Sequence, residues 1–424
     1  MGGLLLLIFV LFLAFGVPVA VSMGLTSFLY LFLFMDIAPT VILQQMIGGV
    51  NKFTLLAIPF FMLSGAYMEH GGISKRIVRF CDSLLGWLPG GLAIVMIFAS
   101  VIFAAMTGSG VATCAAVGGI MFPIMKREGY DEDFTCALQS IAGILGPLIP
   151  PSILLVLYGV AVNVSVSALL MGGVIPGLVL AALFCVVAII QCRKMGMKGT
   201  QRFSLKNVGN SFIHAIGALM VPIIILGGIY SGFCTATEAA ALAAVYALIV
   251  GVFFYKEMTL KQALKVTIVQ LKQMGGLVVI VATANAFAWV MTREQIPQMI
   301  ATTLISISSS KFVFMTLVAV LVLFVGCFMD AVPSVLLLAP ILAPVAAEYG
   351  IHEIHFAIFL VTGVLIGLAT PPVGANLFAV SAMTKRPMHR FIRPLVPFLA
   401  ITVVGLVIIG VIPAISTWLP ALIG

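Results

Sequence analysis

Two proline-rich stretches interrupt long apolar runs and bring together groups that could bind ions. GPLIPPS occupies 146–152 and GLATPPVGAN occupies 367–376. Because proline ends a helix, each stretch predicts a broken helix that leaves carbonyl oxygens free on one side and amide hydrogens on the other. Carbonyls with a hydroxyl or a carboxylate suit a hard cation such as Na⁺, whereas the amide end of a helix suits an anion.

Two further stretches would supply those hydroxyls and that carboxylate. MTGSGVAT at 106–113 and GCFMDAVPS at 326–334 lie near the middle of the apolar runs 91–125 and 311–347. Each run is too long for one span, which needs about 20 residues. Each therefore predicts two half-length helices that meet at a small or polar tip, which is the form of a re-entrant hairpin.

An internal repeat relates the two sets of stretches. Proline and glycine positions recur at a constant spacing of 221 residues, and the same spacing aligns Ser109 of the first tip with Asp330 of the second. The repeat predicts two related halves, and their tips differ in charge. The matching pairs are Pro123 with Pro344, Gly129 with Gly350, Gly146 with Gly367, and Pro150–Pro151 with Pro371–Pro372.

The amino-acid composition shows whether these elements fold in water or in a membrane. Of 424 residues, 62% are hydrophobic and 8% are charged, against roughly 25% charged residues in a soluble domain. Apolar runs of span length recur along the chain, and no alternation of period two suggests a barrel. The sequence predicts an all-α polytopic membrane protein. Its net charge of +8 comes from cations in short loops, so it indicates membrane orientation and no nucleic-acid partner.

The repeat divides the chain at 1–206 and 207–424. Each half is expected to hold scaffold spans, an interfacial helix, a re-entrant hairpin and a broken helix. The last three elements are expected at 73–87, 91–125 and 131–166 in the first half, and at 296–310, 311–347 and 353–384 in the second. Scaffold and other spans are expected at 4–35 (two short spans or one tilted span), 53–70, 168–192, 210–232, 236–254, 273–292 and 392–418.

The distribution of charge indicates that the second half is inverted. Basic residues flank the first hairpin at 75–79 and 126–127, whereas 348–355, after the second hairpin, has no lysine or arginine. Further basic loops lie at 193–206 and 385–393. Placing the basic segments in the cytoplasm requires the first hairpin to enter from inside and the second from outside.

Several residues have a structural explanation beside the functional one. Asp330 could cap the helix that follows it, although a carboxylate at membrane depth is functional by default. Thr235 and Glu238 fit a capping box, S/T-x-x-E. Thr107 and Ser109 could pack a tight tip. No HExxH segment, P-loop or nucleophile–base pairing is present, so an enzyme is not indicated.

These stretches, together with others in the same order, resemble the large membrane subunit of TRAP transporters, the DctM-like tripartite ATP-independent periplasmic carriers of the ion-transporter superfamily. The resemblance covers nearly the whole chain. It implies sodium-coupled uptake of an organic anion, of sialic acid or C4-dicarboxylate type, by elevator motion across the bacterial inner membrane. It also implies two partners, a periplasmic substrate-binding protein and a small DctQ-like membrane subunit. The resembling stretches are LLAIPFFMLSG (55–65), GGLAIVMIFASVIFAAMTGSGVAT (90–113), GPLIPPS, TATEAAALAAVYAL (235–248), MTREQIP (291–297), FMDAVPSVLLLAPIL (328–342) and GLATPPVGAN.

Residue by residue, the resemblance implies two sodium sites and one anion site. The two tips and the two breaks contain no lysine or arginine. The carboxylate of the anion is therefore expected to bind backbone amides, hydroxyls, helix dipoles and bound Na⁺. The first sodium site would combine Thr107 and Ser109 with carbonyls at Gly146, Ile149 and Pro151, and the second would combine Gly326 and Asp330 with the break from Thr370 to Gly374. The anion would lie between the tips, near Thr113, Ser152, Pro333, Ser334 and Asn376.

Two alternatives stay open. A proton-coupled dicarboxylate carrier that works alone would use Asp330 as its proton carrier. An ion channel is the other alternative, because re-entrant loops also build selectivity filters. An inverted pair of hairpins with two broken helices favours a carrier.

Overall fold

The computed structural model describes residues 2–35, 37, 38, 40–199 and 203–423, and the regular structure within them is helical. The all-α class is therefore confirmed. The helices of the first half are α1 (Gly2–Ala14), α2 (Val19–Phe34), α3 (Thr40–Val50), α4 (Ala57–His70, preceded by a 3₁₀ turn at Phe53–Leu56), α5 (Ile73–Leu85), α6 (Gly91–Thr107), α7 (Gly110–Arg127), α8 (Glu132–Ala142, continued by a 3₁₀ turn at Gly143–Leu145), α9 (Ile153–Val162) and α10 (Val166–Lys194).

The second half repeats this succession of long helices and half-length helices. Its members are α11 (Leu205–Tyr230), α12 (Ala236–Ile249, continued by a π turn at Val250–Phe254), α13 (Leu260–Arg293), α14 (Ile296–Ile307), α15 (Lys311–Phe328), α16 (Ala331–Glu348), α17 (Glu353–Gly367), α18 (Ala375–Thr384), α19 (Met388–Val411) and α20 (Ala414–Ile423).

Seven helices of the described chain are long and apolar enough to cross a membrane, namely α10, α11, α12 with its π turn, α13, α15, α16 and α19. An eighth span is possible if α3 and α4, which meet at a bend of 56°, are counted together. The protein is therefore a multi-pass membrane protein, as its composition predicts.

Several boundaries differ from the sequence expectations. Residues 4–35 form two helices in contact with each other, α1 and α2, and the turn between them contains Gly16 at φ +78°. Helix α3 was not expected, because its short stretch TVILQQMIGGV carries two glutamines and two glycines. The last expected span is divided near Pro413 into α19 and α20.

Helix α13 begins at Leu260 rather than 273 because a capping box starts it in a basic stretch. The side chains of Thr259 and Gln262 each bond the other's backbone amide. Hydropathy identifies only the apolar part of such a helix, whereas lysine and glutamine are good helix formers outside the membrane. The capping box of Thr235 and Glu238 at the start of α12 is also confirmed.

The interruptions fall where the sequence predicts them. Helices α6 and α7 meet at Gly108 and Ser109, and α15 and α16 meet at Met329 and Asp330. The bounds of α16 are those of α7 shifted by 221 residues, and α8 and α17 start with the same shift. Each break contains one cis peptide bond, Pro150–Pro151 and Pro371–Pro372. The opposite membrane orientation of the two halves stays a prediction.

The first break is buried throughout 146–152, whereas the second break exposes Pro372 and Val373, and the helices that lead into both breaks are buried. Every residue of α17 from Ile354 to Gly367 is buried, and so is every residue of α8 from Phe134 to Ala142. Helix α16 packs against both α9 and α17, so the second hairpin contacts the half-helix that follows the first break. This packing brings elements of both halves to one region.

Candidate functional site

The first hairpin tip is shaped by one glycine and one serine. Helix α6 ends at Thr107, and Gly108 follows in the left-handed region at φ +63°. A Cβ atom at Gly108 would collide with the carbonyl oxygen of Pro151. Ser109 then starts α7 by accepting a hydrogen bond of 3.4 Å from the amide of Ala112. The tip therefore turns tightly and rests on the first break.

Gly146 is a residue of the first break on which the tip packs. A Cβ atom there would lie 2.6 Å from the carbonyl oxygen of Ser109 and 2.8 Å from the hydroxyl of Thr113. The Thr113 hydroxyl donates to the Ser109 carbonyl at 2.8 Å, and it lies 3.3 Å from the hydroxyl of Thr107. The structure thus brings together the oxygen atoms of the tip and the backbone of the break, as predicted for a first ion site.

Asn376 reaches the first tip from the second half of the chain. A Cβ atom on Gly110 would lie 2.9 Å from Oδ1 of Asn376, and one on Gly143 would lie 2.9 Å from its Nδ2. The amide nitrogen donates to the Ser140 carbonyl at 3.2 Å. The side chain is fully buried, and its Oδ1 has no hydrogen-bond partner among the described residues. A buried oxygen without a donor is costly unless a cation or water satisfies it.

Gln139 is a second buried amide at this place, and sequence reasoning missed it. Its Nε2 donates to the carbonyl of Thr113 at 3.3 Å, while its Oε1 has no partner in the part of the chain that the structure describes. The available signal was an uncharged amide inside the apolar run that precedes Gly143. Such a residue is normally buried only when it is hydrogen-bonded.

Two further residues of the first break have clear local roles. The side chain of Ile149 packs against Gly177 of α10, so only its backbone could face an ion. Ser152 starts α9, because its hydroxyl accepts a bond of 3.1 Å from the amide of Leu155 and donates to the Pro147 carbonyl. It is fully buried.

The second tip is more open than the first. Asp330 occupies the position before α16, but its side chain makes no capping hydrogen bond and the residue is exposed. Its carbonyl accepts from the hydroxyl of Ser334 at 2.8 Å, and Ser334 and Pro333 are buried in the first turn of α16. The prediction that Asp330 could merely cap this helix by its carboxylate is therefore wrong.

The second break approaches the second hairpin through glycine. A Cβ atom on Gly326, in the last turn of α15, would lie 2.7 Å from the Val364 carbonyl and 3.1 Å from the Cα of Gly367. Further along, the Thr370 hydroxyl donates to the Ile366 carbonyl at 2.7 Å. Gly374 stands at φ +53°, with the Thr370 carbonyl 3.1 Å from the position of its Cβ.

Four helices begin at these tips and breaks: α7 after Ser109, α9 after Ser152, α16 after Asp330 and α18 after Gly374. Unpaired amides and the positive end of the helix dipole are found at each start. Thr113 and Asn376 lie at the first tip and Ser152 lies in the break beneath it, whereas Pro333 and Ser334 belong to the second tip. Together the tips and breaks offer neutral oxygen atoms that could bind a hard cation, and helix N-termini that could bind an anion.

Residues 6–415 match the family described as "Tripartite ATP-independent periplasmic transporter, DctM component". The C4-dicarboxylate TRAP transporter large permease protein of Pseudomonas aeruginosa is 43% identical over 403 residues, which cover 95% of this chain and 94% of that one. The sialic acid TRAP transporter large permease protein of Vibrio cholerae is 36% identical, with 96% and 95% covered.

The solved structure of the Alcanivorax borkumensis YdaH transporter has a TM-score of 0.65 at 15% identity, with 88% of this chain and 87% of that chain covered. At this identity the likeness concerns the fold alone. The family match extends over almost the entire sequence. The chain therefore belongs to the DctM family of tripartite ATP-independent periplasmic (TRAP) transporters and is a multi-pass protein of the bacterial inner membrane.

Proposed function

We propose that the chain carries an organic anion into the cell by sodium-coupled secondary transport, with a small DctQ-like membrane subunit and a periplasmic substrate-binding protein as partners. Relatives are named for C4-dicarboxylate, sialic acid and isethionate, all small organic anions. The 43% identity to a C4-dicarboxylate permease makes a C4-dicarboxylate the first substrate to test.

The observation that carries sodium coupling is the seating of the first tip on the first break. The hydroxyl of Thr113 and the carbonyl of Ser109 lie over Gly146, the hydroxyl of Thr107 lies 3.3 Å from that of Thr113, and the carbonyl of Pro151 faces Gly108. The Oδ1 of Asn376, which has no hydrogen-bond partner among the described residues, lies close to the backbone of Gly110. This set of neutral oxygens fits Na⁺, which needs several oxygen donors and no fixed geometry.

The second sodium site is proposed around Gly326, Asp330 and the break from Thr370 to Gly374. Here the exposed carboxylate would add charge that the first site lacks. An exposed carboxylate agrees with a site that opens when the tip moves. The anion is proposed to bind at the helix starts near Thr113, Ser152, Pro333, Ser334 and Asn376, where amides replace the missing cationic side chains.

Elevator motion is supported by how the helices pack. The bent pair α3 and α4 packs with α12 and α13, and α13 also packs with α2. The hairpins, the broken helices, α10 and α19 pack with one another. We propose that the first group is the scaffold and that the second group moves across the membrane as the transport body.

The test is uptake into proteoliposomes that contain this chain and its small subunit, with the cognate binding protein outside. Succinate and N-acetylneuraminate are offered with and without a Na⁺ gradient. Saturable uptake of one acid that requires the Na⁺ gradient supports the proposal. Uptake that follows a pH gradient without Na⁺, in the absence of the partners, would favour the proton-coupled carrier with Asp330 as proton carrier. Non-saturable flux would favour a channel.

A further inference from the structure

A polar crevice of about 610 Å³ lies away from the tips, between α5 and the start of α11. It is lined only by polar and charged side chains, which is unusual in a chain with so few of them. The lining residues are Lys75, Arg76, Arg79, Asp82 and Ser83 on α5, Asn207, Asn210, Ser211 and His214 on α11, and Glu257 before α13.

The charges in the crevice are unevenly engaged. Arg76 is held by Glu257 at 2.7 Å, with its guanidinium 3.8 Å from the centre of the Tyr255 ring. Lys75 and Arg79 are exposed and form no ion pair with any described residue. These two cations remain available to an anion even though Asp82 also lines the crevice.

The walls of the crevice are fixed to each other. The hydroxyl oxygens of Ser83 and Ser211 are 2.6 Å apart, which joins α5 to α11. The rings of Phe80 and Phe212 lie 5.7 Å apart and join the same two helices. A ligand would therefore meet a preformed site, which lowers the entropic cost of binding.

Exposed apolar side chains of α11 begin beside the crevice at Phe212, which packs against Phe80, and lie on the face of this helix turned away from the crevice-lining residues. These side chains are Phe212, Ile213, Ile216 and Ile223. Helix α5 buries its apolar face, with Ile73 and Ile77 inaccessible, and turns its cations outward. Cations at the surface above exposed apolar side chains match the two ends of a lipid molecule.

We propose that the crevice binds the phosphate headgroup of an anionic phospholipid, with Lys75 and Arg79 at the phosphate and the acyl chains along α11. The charge favours a lipid with net negative charge over a zwitterionic one. The exposed apolar side chains of α11 favour a lipid over free phosphate. The site is separate from the tips and breaks, and its occupancy can be measured without transport.

The test compares lipid binding to the purified chain and to Lys75→Gln/Arg79→Gln by native mass spectrometry and by thermal unfolding. The probes are phosphatidylglycerol, phosphatidylcholine and inorganic phosphate. Phosphatidylglycerol should bind the unmodified chain at least tenfold more tightly than phosphatidylcholine. The double variant should weaken its binding roughly thirtyfold, since each cation near an anionic lipid contributes about fivefold.

The matched control is Lys265→Gln/Arg390→Gln, which removes the same two charges from exposed positions on α13 and α19. It should bind phosphatidylglycerol as the unmodified chain does. A second variant, Lys75→Arg/Arg79→Lys, keeps the charge and should keep the binding. Equal lipid binding by the glutamine variant and the control would overturn the proposal. So would equal affinity for inorganic phosphate and phosphatidylglycerol, which would assign the crevice to a soluble anion.

Discussion

The ammonium of Lys52 lies 2.7 Å from the carbonyl oxygen of Val160 and 3.2 Å from Oδ1 of Asn163. Lys52 stands at the bend between α3 and α4, and the two oxygens belong to the end of α9. Carbonyls at a helix C-terminus lack intrahelical donors and carry the negative end of the dipole, so a cation is favourable there. The proposed scaffold thus holds the half-helix that follows the first break.

Replacing this cation should loosen the end of α9. Lys52→Met is expected to destabilise the contact by about 1 kcal/mol, since it removes a charge-assisted bond to helix carbonyls. Hydrogen exchange measured by mass spectrometry on the peptide that covers 153–163 should become several-fold faster. Lys261→Met, at an exposed position on α13, is the control and should leave that peptide unchanged. Equal exchange in both variants would contradict the contact.

A single methyl group on Gly146 should separate the first tip from the first break. Gly146→Ala places a carbon 2.6 Å from the Ser109 carbonyl, closer than two such atoms can pack. Sodium-dependent uptake should therefore fall more than tenfold while the protein still inserts in the membrane. Gly119→Ala in α7 is the control, because its Cβ would meet only Met383 at 4.0 Å. Uptake by the two alanine variants is compared at matched amounts of protein. Similar rates would refute a functional contact between the first tip and the first break.

Asp330 should affect sodium binding rather than stability. Its carboxylate makes no capping bond, so Asp330→Asn is expected to keep the thermal unfolding midpoint and to raise the Na⁺ concentration for half-maximal uptake roughly tenfold or more, the effect of about 1.4 kcal/mol. Asp131→Ala is the opposite case, since Asp131 caps α8 by accepting from the Phe134 amide at 2.7 Å, and alanine removes that acceptor. That variant should lose stability and keep its Na⁺ dependence. An unchanged Na⁺ dependence in Asp330→Asn would remove Asp330 from the site.

An ion-pair network ties the ends of the two broken helices and should respond to acid. Glu132 lies 3.0 Å from Lys126 and 3.1 Å from Arg386, and Arg386 also contacts Asp133. The hydrogen bond from Lys126 and the charge of Arg386 hold the pKa of Glu132 below its usual value of 4.5. A lowered folded-state pKa stabilises the protein above the unfolded pKa, and this contribution is lost as the pH falls through the folded value.

The expected stabilisation is small, below about 1 kcal/mol, because these side chains are partly exposed. Thermal unfolding of Glu132→Gln and of the unmodified chain, measured from pH 7 to pH 3, should differ at pH 7 and converge in the acid range. A difference that persists at pH 3 would contradict the assignment of the effect to this carboxylate.

The helical class, the interruptions at the two tips and the two breaks could be predicted because proline and glycine act on the local backbone, whereas the re-entrant form of the hairpins stays a prediction. Gly108 takes a left-handed conformation at the end of α6, and each proline pair removes two neighbouring amide donors, so these interruptions follow from the local sequence. Local patterns could not place Asn376 at the first tip, since its position depends on how α18 packs against α7 and α8; only the family resemblance grouped it with Thr113. Gln139 was missed for a related reason. Its role depends on the Thr113 carbonyl, which lies 26 residues away in the chain.

Both hairpins rest on a glycine that opens a break, Gly146 against the Ser109 carbonyl and Gly367 against Gly326. At these two points the closest approach is between backbone atoms, with the Thr113 hydroxyl beside Gly146 and the Val322 side chain packed on Gly363 nearby. A hairpin that meets a break mainly through backbone atoms can shift with few changes of side-chain rotamer. Under the proposed sodium coupling, ions that bridge the two surfaces would hold each hairpin in place, so that loading with Na⁺ would set when it is free to move.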